Sequence, residues 1–146
     1  MVFYEPWADV TIPNLKIGDP DFTIAFWIRL SKPNQRVRIW SSSRSANGLN
    51  ILIHGRMFFE FVEWGPFGHS KEISSALFSR WFHVAVTFEQ DEVKIFINGE
   101  TFLTVGSTIE TIETFVVHYV SSPLIMDLHI FGFALPPDDI YDLSRG

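Results

Sequence analysis

The sequence predicts an all-β protein made of two antiparallel sheets that pack as a sandwich. Three observations support this: short runs of alternating apolar and polar residues, turn residues between the runs, and no helical period of any length. The clearest run is 81–88, where every second residue is apolar, as in a strand with one buried face. A polar turn at 89–92 and a second alternating run at 93–97 follow, and Asn98-Gly99 is the pair that a type I′ hairpin turn needs. Residues 81–99 are therefore predicted to form the central β-meander.

The same two signals predict the other elements. Residues 22–30 give the most regular alternation outside the meander, and residues 65–75 are predicted to be a long loop. Proline and two aspartates at the start of 136–143 suit one helical turn. We expect the N-terminal strand to lie near the last one. The remaining predicted strands are 2–4, 10–12, 37–42, 49–53, 57–64, 101–105, 115–120 and 124–131. The residues predicted to be buried are Phe22, Ile24, Phe26, Val84, Val86, Ile95, Ile97, Leu128 and Ile130.

Length and composition limit what kind of protein this is. A chain of 146 residues that is 47% hydrophobic can bury one full core, so we expect residues 1–146 to be a single domain, part of a longer protein. No apolar run approaches the roughly 20 residues of a membrane helix, which predicts no membrane insertion. The chain has no cysteine and no Asn-x-Ser/Thr glycosylation site, and neither feature supports secretion.

The net charge of −6 argues against a nucleic-acid partner, because such binding depends on clustered lysines and arginines. Arg36 and Arg38 are the basic residues that group together, and we interpret them as the solvated face of one strand.

No pattern in the sequence predicts an enzyme. Glu89 and Asp91 have the spacing of paired carboxylates on one strand face, but they lie at a hairpin tip, where polar residues are expected anyway. Glu60 and Glu63 differ in parity and cannot share a strand face. No nucleophile motif, phosphate loop or histidine metal spacing occurs.

Four blocks in the order 22–27, 81–87, 95–100 and 127–140 resemble the concanavalin A-like jelly roll, and within it most closely the laminin-G and pentraxin domains. The blocks read Phe-Thr-Ile-Ala-Phe-Trp, Trp-x-His-Val-Ala-Val-Thr, Ile-x-Ile-Asn-Gly-Glu and Asp-Leu-His-Ile-Phe followed by Ala-Leu-Pro-Pro-Asp-Asp-Ile. The resemblance implies two curved antiparallel sheets. It also implies recognition of carbohydrates or proteins outside the cell, often with calcium.

The chain departs from the pentraxin pattern at two places. The cysteines of that pattern correspond to Ala25 and Ala85, which the resemblance therefore places on neighbouring strands. Its calcium ligands would come from a turn that here offers Asn47 and Asn50, and from a loop that is here reduced to 121–123. Calcium needs six to eight oxygen ligands. We therefore expect no cofactor and no metal, with folding and ligand binding independent of calcium.

The candidate ligand-binding residues lie in two turns. Aromatic residues in the predicted long loop could stack on a sugar, anchor a protein, or plug the end of the core. The candidates are Arg44, Asn47, Trp64, Phe67 and His69.

Two functions remain open, and a third, enzymatic function remains only if carboxylates from different strands converge. One is a non-catalytic recognition module for carbohydrate or protein within a cell-surface or secreted protein. The other is a cytoplasmic protein-interaction domain of a large trafficking scaffold, a class with similar Trp-x-x-Val and Asn-Gly-Glu patterns, which suits the missing cysteines.

Overall fold

The computed structural model describes residues 10–12, 21–42, 49–63, 68–89, 92–106, 114–121 and 123–146. These residues form eleven strands, a short 3-10 helix at Ser75–Leu77 and the α-helix α1 at Pro137–Ser144. The strands are β1 Val10–Ile12, β2 Phe22–Arg29, β3 Arg36–Ser42, β4 Leu49–His54, β5 Phe58–Glu63, β6 Gly68–Glu72, β7 Trp81–Glu89, β8 Glu92–Ile97, β9 Glu100–Gly106, β10 Thr114–Val120 and β11 Leu124–Phe131.

The strands form two sheets in which every neighbouring pair is antiparallel. One sheet has six strands in the order β1-β10-β3-β4-β5-β6, and the other has five in the order β11-β2-β7-β8-β9. This confirms the predicted fold class, the two-sheet antiparallel sandwich. The predicted strand 2–4 lies outside the described residues.

One prediction about the strands is wrong. Residues 68–72 are not loop but strand β6, which pairs with β5 at the edge of its sheet. Their polar composition hides this, because exposed edge strands carry charged and polar residues rather than an apolar alternation. The expectation that the N-terminal strand lies near the last one concerns residues 2–4, which the structure does not describe. The first described strand, β1, pairs with β10, and the last strand, β11, lies in the other sheet beside β2. In addition, α1 is longer than the single turn expected.

The main core fills the space between the two sheets. Six of the nine residues predicted to be buried are at most 1% exposed. The other three, Ile97, Leu128 and Ile130, are only partly buried and pack against this core. Ile97 ends β8 at a hairpin, and the other two lie on β11 at the sheet edge, where fewer neighbours cover a side chain.

The second face of the five-stranded sheet is also covered. Ala25, Ala85, Phe96 and Ile140 form a second buried cluster, so α1 packs on the face opposite the main core. Thr23 fastens the segment before the helix, since its hydroxyl donates to the Phe133 carbonyl at 2.8 Å and accepts from the Leu135 amide at 2.9 Å. The alternation in β7 had predicted a half-buried strand, but both of its faces are buried.

The Asn98-Gly99 turn between β8 and β9 has the predicted type I′ character. Both residues have positive φ, 51° and 80°. The turn is tied back to β7, because the Asn98 side-chain oxygen accepts from the His83 amide at 2.8 Å and the Asn98 amide donates to the His83 carbonyl at 2.8 Å.

The alanine pair gives a first prediction. Ala25 and Ala85 lie directly opposite each other on β2 and β7, as the resemblance implied. We expect A25C/A85C to form a disulfide under mild oxidant and to gain about 2–4 kcal/mol of stability, because opposite residues bring their Cβ atoms within bridging distance. Thiol titration and urea unfolding measure both effects, with the single variants as controls. A folded double variant that keeps both thiols reduced would contradict the prediction.

Candidate recognition site

The six-stranded sheet has one face that does not contribute to the core. Side chains alternate along its central strands, and Val37, Ile39, Ile51 and Ile53 point into the core. The intervening residues therefore share the opposite face, the open face. Strand pairing arranges them in two rows. One row runs Val120, Arg36, His54, Phe58 and Glu72, and the next runs His118, Arg38, Leu52, Glu60 and Ser70.

A groove of about 470 Å³ lies at one end of this open face. Its volume falls within the range of about 300–1,000 Å³ that is usual for small-molecule sites. Its lining consists of Pro33, Asn34, Arg36, His54, Arg56, Phe58 and Glu60.

One wall of the groove is the loop between β2 and β3. Gln35, only 5% exposed, organises this loop from inside. Its side-chain oxygen accepts hydrogen bonds from the backbone amides of Ser31 at 2.7 Å and Lys32 at 3.0 Å. Its backbone amide donates to the Lys32 carbonyl at 3.1 Å. Asn34 also donates to the Ser121 hydroxyl at 3.1 Å, which ties the loop to the β10–β11 turn. The wall is thus fixed before any ligand arrives.

The other wall is the turn between β4 and β5, which carries Arg56. Gly55 brings this turn against the opposite wall, because its amide donates to the Gln35 carbonyl at 2.7 Å. A Cβ at position 55 would lie 2.0 Å from the Lys32 carbonyl oxygen, so only glycine allows this approach. The turn closes with Met57 at a positive φ of 64°.

The groove combines charged, amide and aromatic side chains. His54 Nε2 lies 3.4 Å from Glu60 Oε2. Arg36 and Arg56 are exposed, and neither forms an ion pair within the described part of the chain. Phe58 lines the same groove and is half-buried. The arrangement can therefore donate hydrogen bonds from two guanidinium groups and an amide, accept them at a carboxylate, and cover an apolar surface.

A second, smaller cavity of about 130 Å³ lies on the other sheet, lined by Trp27, His83, Asp127, His129, Leu143 and Gly146. His83 is 2% exposed, and its Nδ1 is buried without a hydrogen-bond partner among the described residues. Burial, reinforced by the nearby His129 and opposed by Asp127, lowers the pKa of His83 from 6.5 to about 4. The ring is thus neutral at pH 7 and contacts Trp27 edge-on, with the ring centroids 5.2 Å apart.

Across the part of the chain that the structure describes, no three histidine or carboxylate side chains come together in a way that could hold a metal ion. The second cavity is small and carries a neutral histidine, so we assign recognition to the larger groove.

The residues proposed from the sequence are not those of the groove. Arg44, Asn47, Trp64 and Phe67 lie outside the described residues. His69 lies on β6, opposite Phe61 of β5, and only its backbone is described. The structure therefore does not test the role of these five residues.

The groove residues were missed because each looks ordinary by itself. Arg36 was noticed in the sequence but interpreted as a solvated strand face. The available signal was the alternation of side chains along a strand. Phe58 and Glu60 flank the core residue Phe59, and Arg36 precedes the core residue Val37. Phe58, Glu60 and Arg36 therefore belong to outward faces. Nothing local in the sequence showed that these strands are neighbours.

A laminin-G family model, described as the concanavalin A-like lectin/glucanases superfamily, matches residues 8–140. The chain belongs to this superfamily. Among curated proteins, none matches the sequence significantly. The superfamily match confirms the resemblance read from the four sequence blocks.

Solved structures that resemble this superfamily member are binding domains of botulinum neurotoxins. The receptor binding domain of the C/D mosaic serotype superposes with a TM-score of 0.72 at 18% identity, covering 94% of this chain and 40% of that one. The serotype G binding domain gives 0.67 at 16% identity, covering 99% and 46%. The serotype D ligand binding domain, solved in complex with N-acetylneuraminic acid, gives 0.71 at 18%, covering 97% and 40%.

At these identities the likeness establishes the fold. The chain spans less than half the length of the solved structures it matches. The family match indicates a binding module in general terms. In the described residues, no helix has the length and apolar character needed to cross a membrane.

Proposed function

We propose that this chain is a non-catalytic recognition module that binds carbohydrate in the groove on the open face of the six-stranded sheet. The observation that carries the proposal is the groove itself. An aromatic ring and planar polar groups line it together, and a hydrogen bond joins its two walls. Two of the similar structures, a receptor binding domain and a domain solved in complex with N-acetylneuraminic acid, support a glycan ligand.

The chemistry of the groove suits a sugar ring. A pyranose offers an apolar face of C–H groups and a rim of hydroxyls that both donate and accept. Phe58 offers an apolar surface for the C–H face, while Asn34 and Glu60 offer an amide and a carboxylate for the hydroxyl groups. Strands and a hydrogen-bonded loop hold these groups in place, which lowers the ordering cost of binding.

The proposal is non-catalytic because the described residues that line the groove include one carboxylate, Glu60. Retaining and inverting glycosidases place a second carboxyl group about 5 Å or 6.5–9.5 Å away. Glu72 shares the open face and lies diagonally across from Glu60 on β6, but it is exposed outside the groove. Product analysis after incubation with each bound glycan tests this. Cleavage of a glycan by the parent protein that is lost in E60Q or E72Q would show that the protein is an enzyme and would contradict the proposal.

The second candidate is a protein-interaction domain, and a different surface favours it. Phe133, a large apolar side chain that follows β11, is 55% exposed. Phe131 and Phe133 also contact each other edge-on at 5.9 Å. We propose a cell-surface or secreted location for the glycan-binding function. The cytoplasmic location belongs to the protein-binding alternative.

The decisive experiment is a glycan-array screen of the chain, followed by calorimetry on the best ligand. We expect F58A to weaken glycan binding at least about tenfold, equivalent to ~1.4 kcal/mol, because it removes the surface that covers the sugar ring. F133A is the matched control and should leave glycan binding unchanged. Chelator should also change nothing, since we propose that recognition needs no calcium.

Binding that survives F58A in a folded protein would contradict the groove assignment. No glycan binding, together with a protein partner lost in F133A, would favour the second candidate.

A further inference from the structure

We infer that the groove selects a sugar that carries a carboxylate, such as a uronate or a sialate, and that Arg36 and Arg56 hold the acid group. This inference rests on the proposed function and narrows its ligand class. Both arginines line the groove, and both are exposed. Neither has an ion-pair partner among the described residues, so their charges are available to a ligand.

The charge of the groove is opposite to the charge of the chain. The whole sequence carries a net charge of −6, yet the described residues that line the groove include two arginines and a single carboxylate. That carboxylate, Glu60, faces His54 Nε2 at 3.4 Å. A net negative protein repels an acidic glycan except where such a cationic site attracts it.

The residue type also matters. A guanidinium group presents a planar fork of donors that matches the two oxygens of a carboxylate, and such charge-assisted pairs are stronger than neutral hydrogen bonds. Arg36 is held on β3 opposite His54, while Arg56 lies on the turn that Gly55 fixes against the loop. The two fork-shaped groups therefore come from two different elements of one preorganised groove. Asn34, Phe58 and Glu60 remain for the neutral parts of the sugar.

The test compares an oligogalacturonate with its methyl ester, which keeps the sugar and removes the charge. We expect the acid to bind at least about tenfold more tightly than the ester at low salt, because only the acid can accept charge-assisted hydrogen bonds. R36Q and R56Q should each abolish most of this preference, so that the acid and the ester bind with similar affinity. R80Q, an exposed arginine outside the groove, is the matched control and should keep the preference. Added salt should weaken the binding of the acid but not the binding of the ester.

Two results would overturn the inference while leaving the proposed function intact. One is equal affinity for acid and ester. The other is a preference for acid that persists in the folded R36Q/R56Q double variant. R36K/R56K tests the guanidinium fork separately: full retention of the preference in this variant would overturn the assignment of the selectivity to bidentate hydrogen bonds. If neither probe binds and no glycan on the array binds, the proposed function itself fails.

Discussion

Replacing Gly55 with alanine should destabilise the protein by about 3 kcal/mol and abolish ligand binding in the groove. The added methyl group would lie 2.0 Å from the Lys32 carbonyl oxygen and 3.2 Å from the Gln35 carbonyl oxygen, both of them backbone atoms. The loop can relieve this clash only by moving away, which breaks the 2.7 Å hydrogen bond from the Gly55 amide to Gln35. The groove would then lose the contact between its two walls.

G132A provides the matched control, because a Cβ at Gly132 meets nothing within 4 Å. Urea unfolding of both variants gives the stabilities, and calorimetry gives the affinities. If G55A were as stable as G132A, the close approach of the two walls would not exist in solution.

Acid should destabilise the protein through His83. Burial lowers the pKa of His83 to about 4 in the folded state, against 6.5 in an unfolded chain. The unfolded state therefore binds this proton first, and the stability that the neutral ring contributes is complete above pH 6.5. It is lost as the pH falls from 6.5 to about 4, and His83 contributes no further loss below that. This difference between the folded-state and unfolded-state pKa values corresponds to a loss of roughly 3 kcal/mol in the free energy of unfolding.

The variant H83Q separates this effect from the titration of the carboxylates. It should be less stable at pH 7 but should lose less stability than the parent protein between pH 6.5 and 4. The groups that face His83, including Asp127 and His129, remain in both proteins. Chemical denaturation at several pH values measures the difference. Parallel pH profiles for the two proteins would mean that His83 is solvated or hydrogen-bonded in solution.

The local sequence was sufficient for strands whose two faces differ. The alternation in β2 and in the meander reports burial on one side, and the Asn98-Gly99 pair reports a turn that requires positive φ at both residues. It was insufficient for β6, because an edge strand of polar residues has the same composition as a loop. It was also insufficient for the second face of β7, where His83 and Thr87 look solvent-facing but are buried beneath the C-terminal segment.

The groove could not be predicted because it depends on distant contacts. Arg36, Arg56 and Phe58 come from different elements, and their convergence follows from the pairing of β3 with β4 and of β4 with β5. Gly55 looks like an ordinary turn residue in the sequence. Its requirement for glycine arises from the Lys32 carbonyl, which belongs to another loop.

The place of β10 in its sheet affects how the protein can be made. β10 lies between β1 and β3, and its first residue, Thr114, pairs with Ser42. A ribosome therefore releases β1, β3, β4 and β5 well before the strand that joins β1 to β3 exists. Until then β3 has a free edge on the side that β10 will occupy, and unpaired edges of this kind invite association with other chains. Such long-range pairing also slows folding. The groove can accordingly reach its final form only late in synthesis, once the chain beyond residue 120 has emerged.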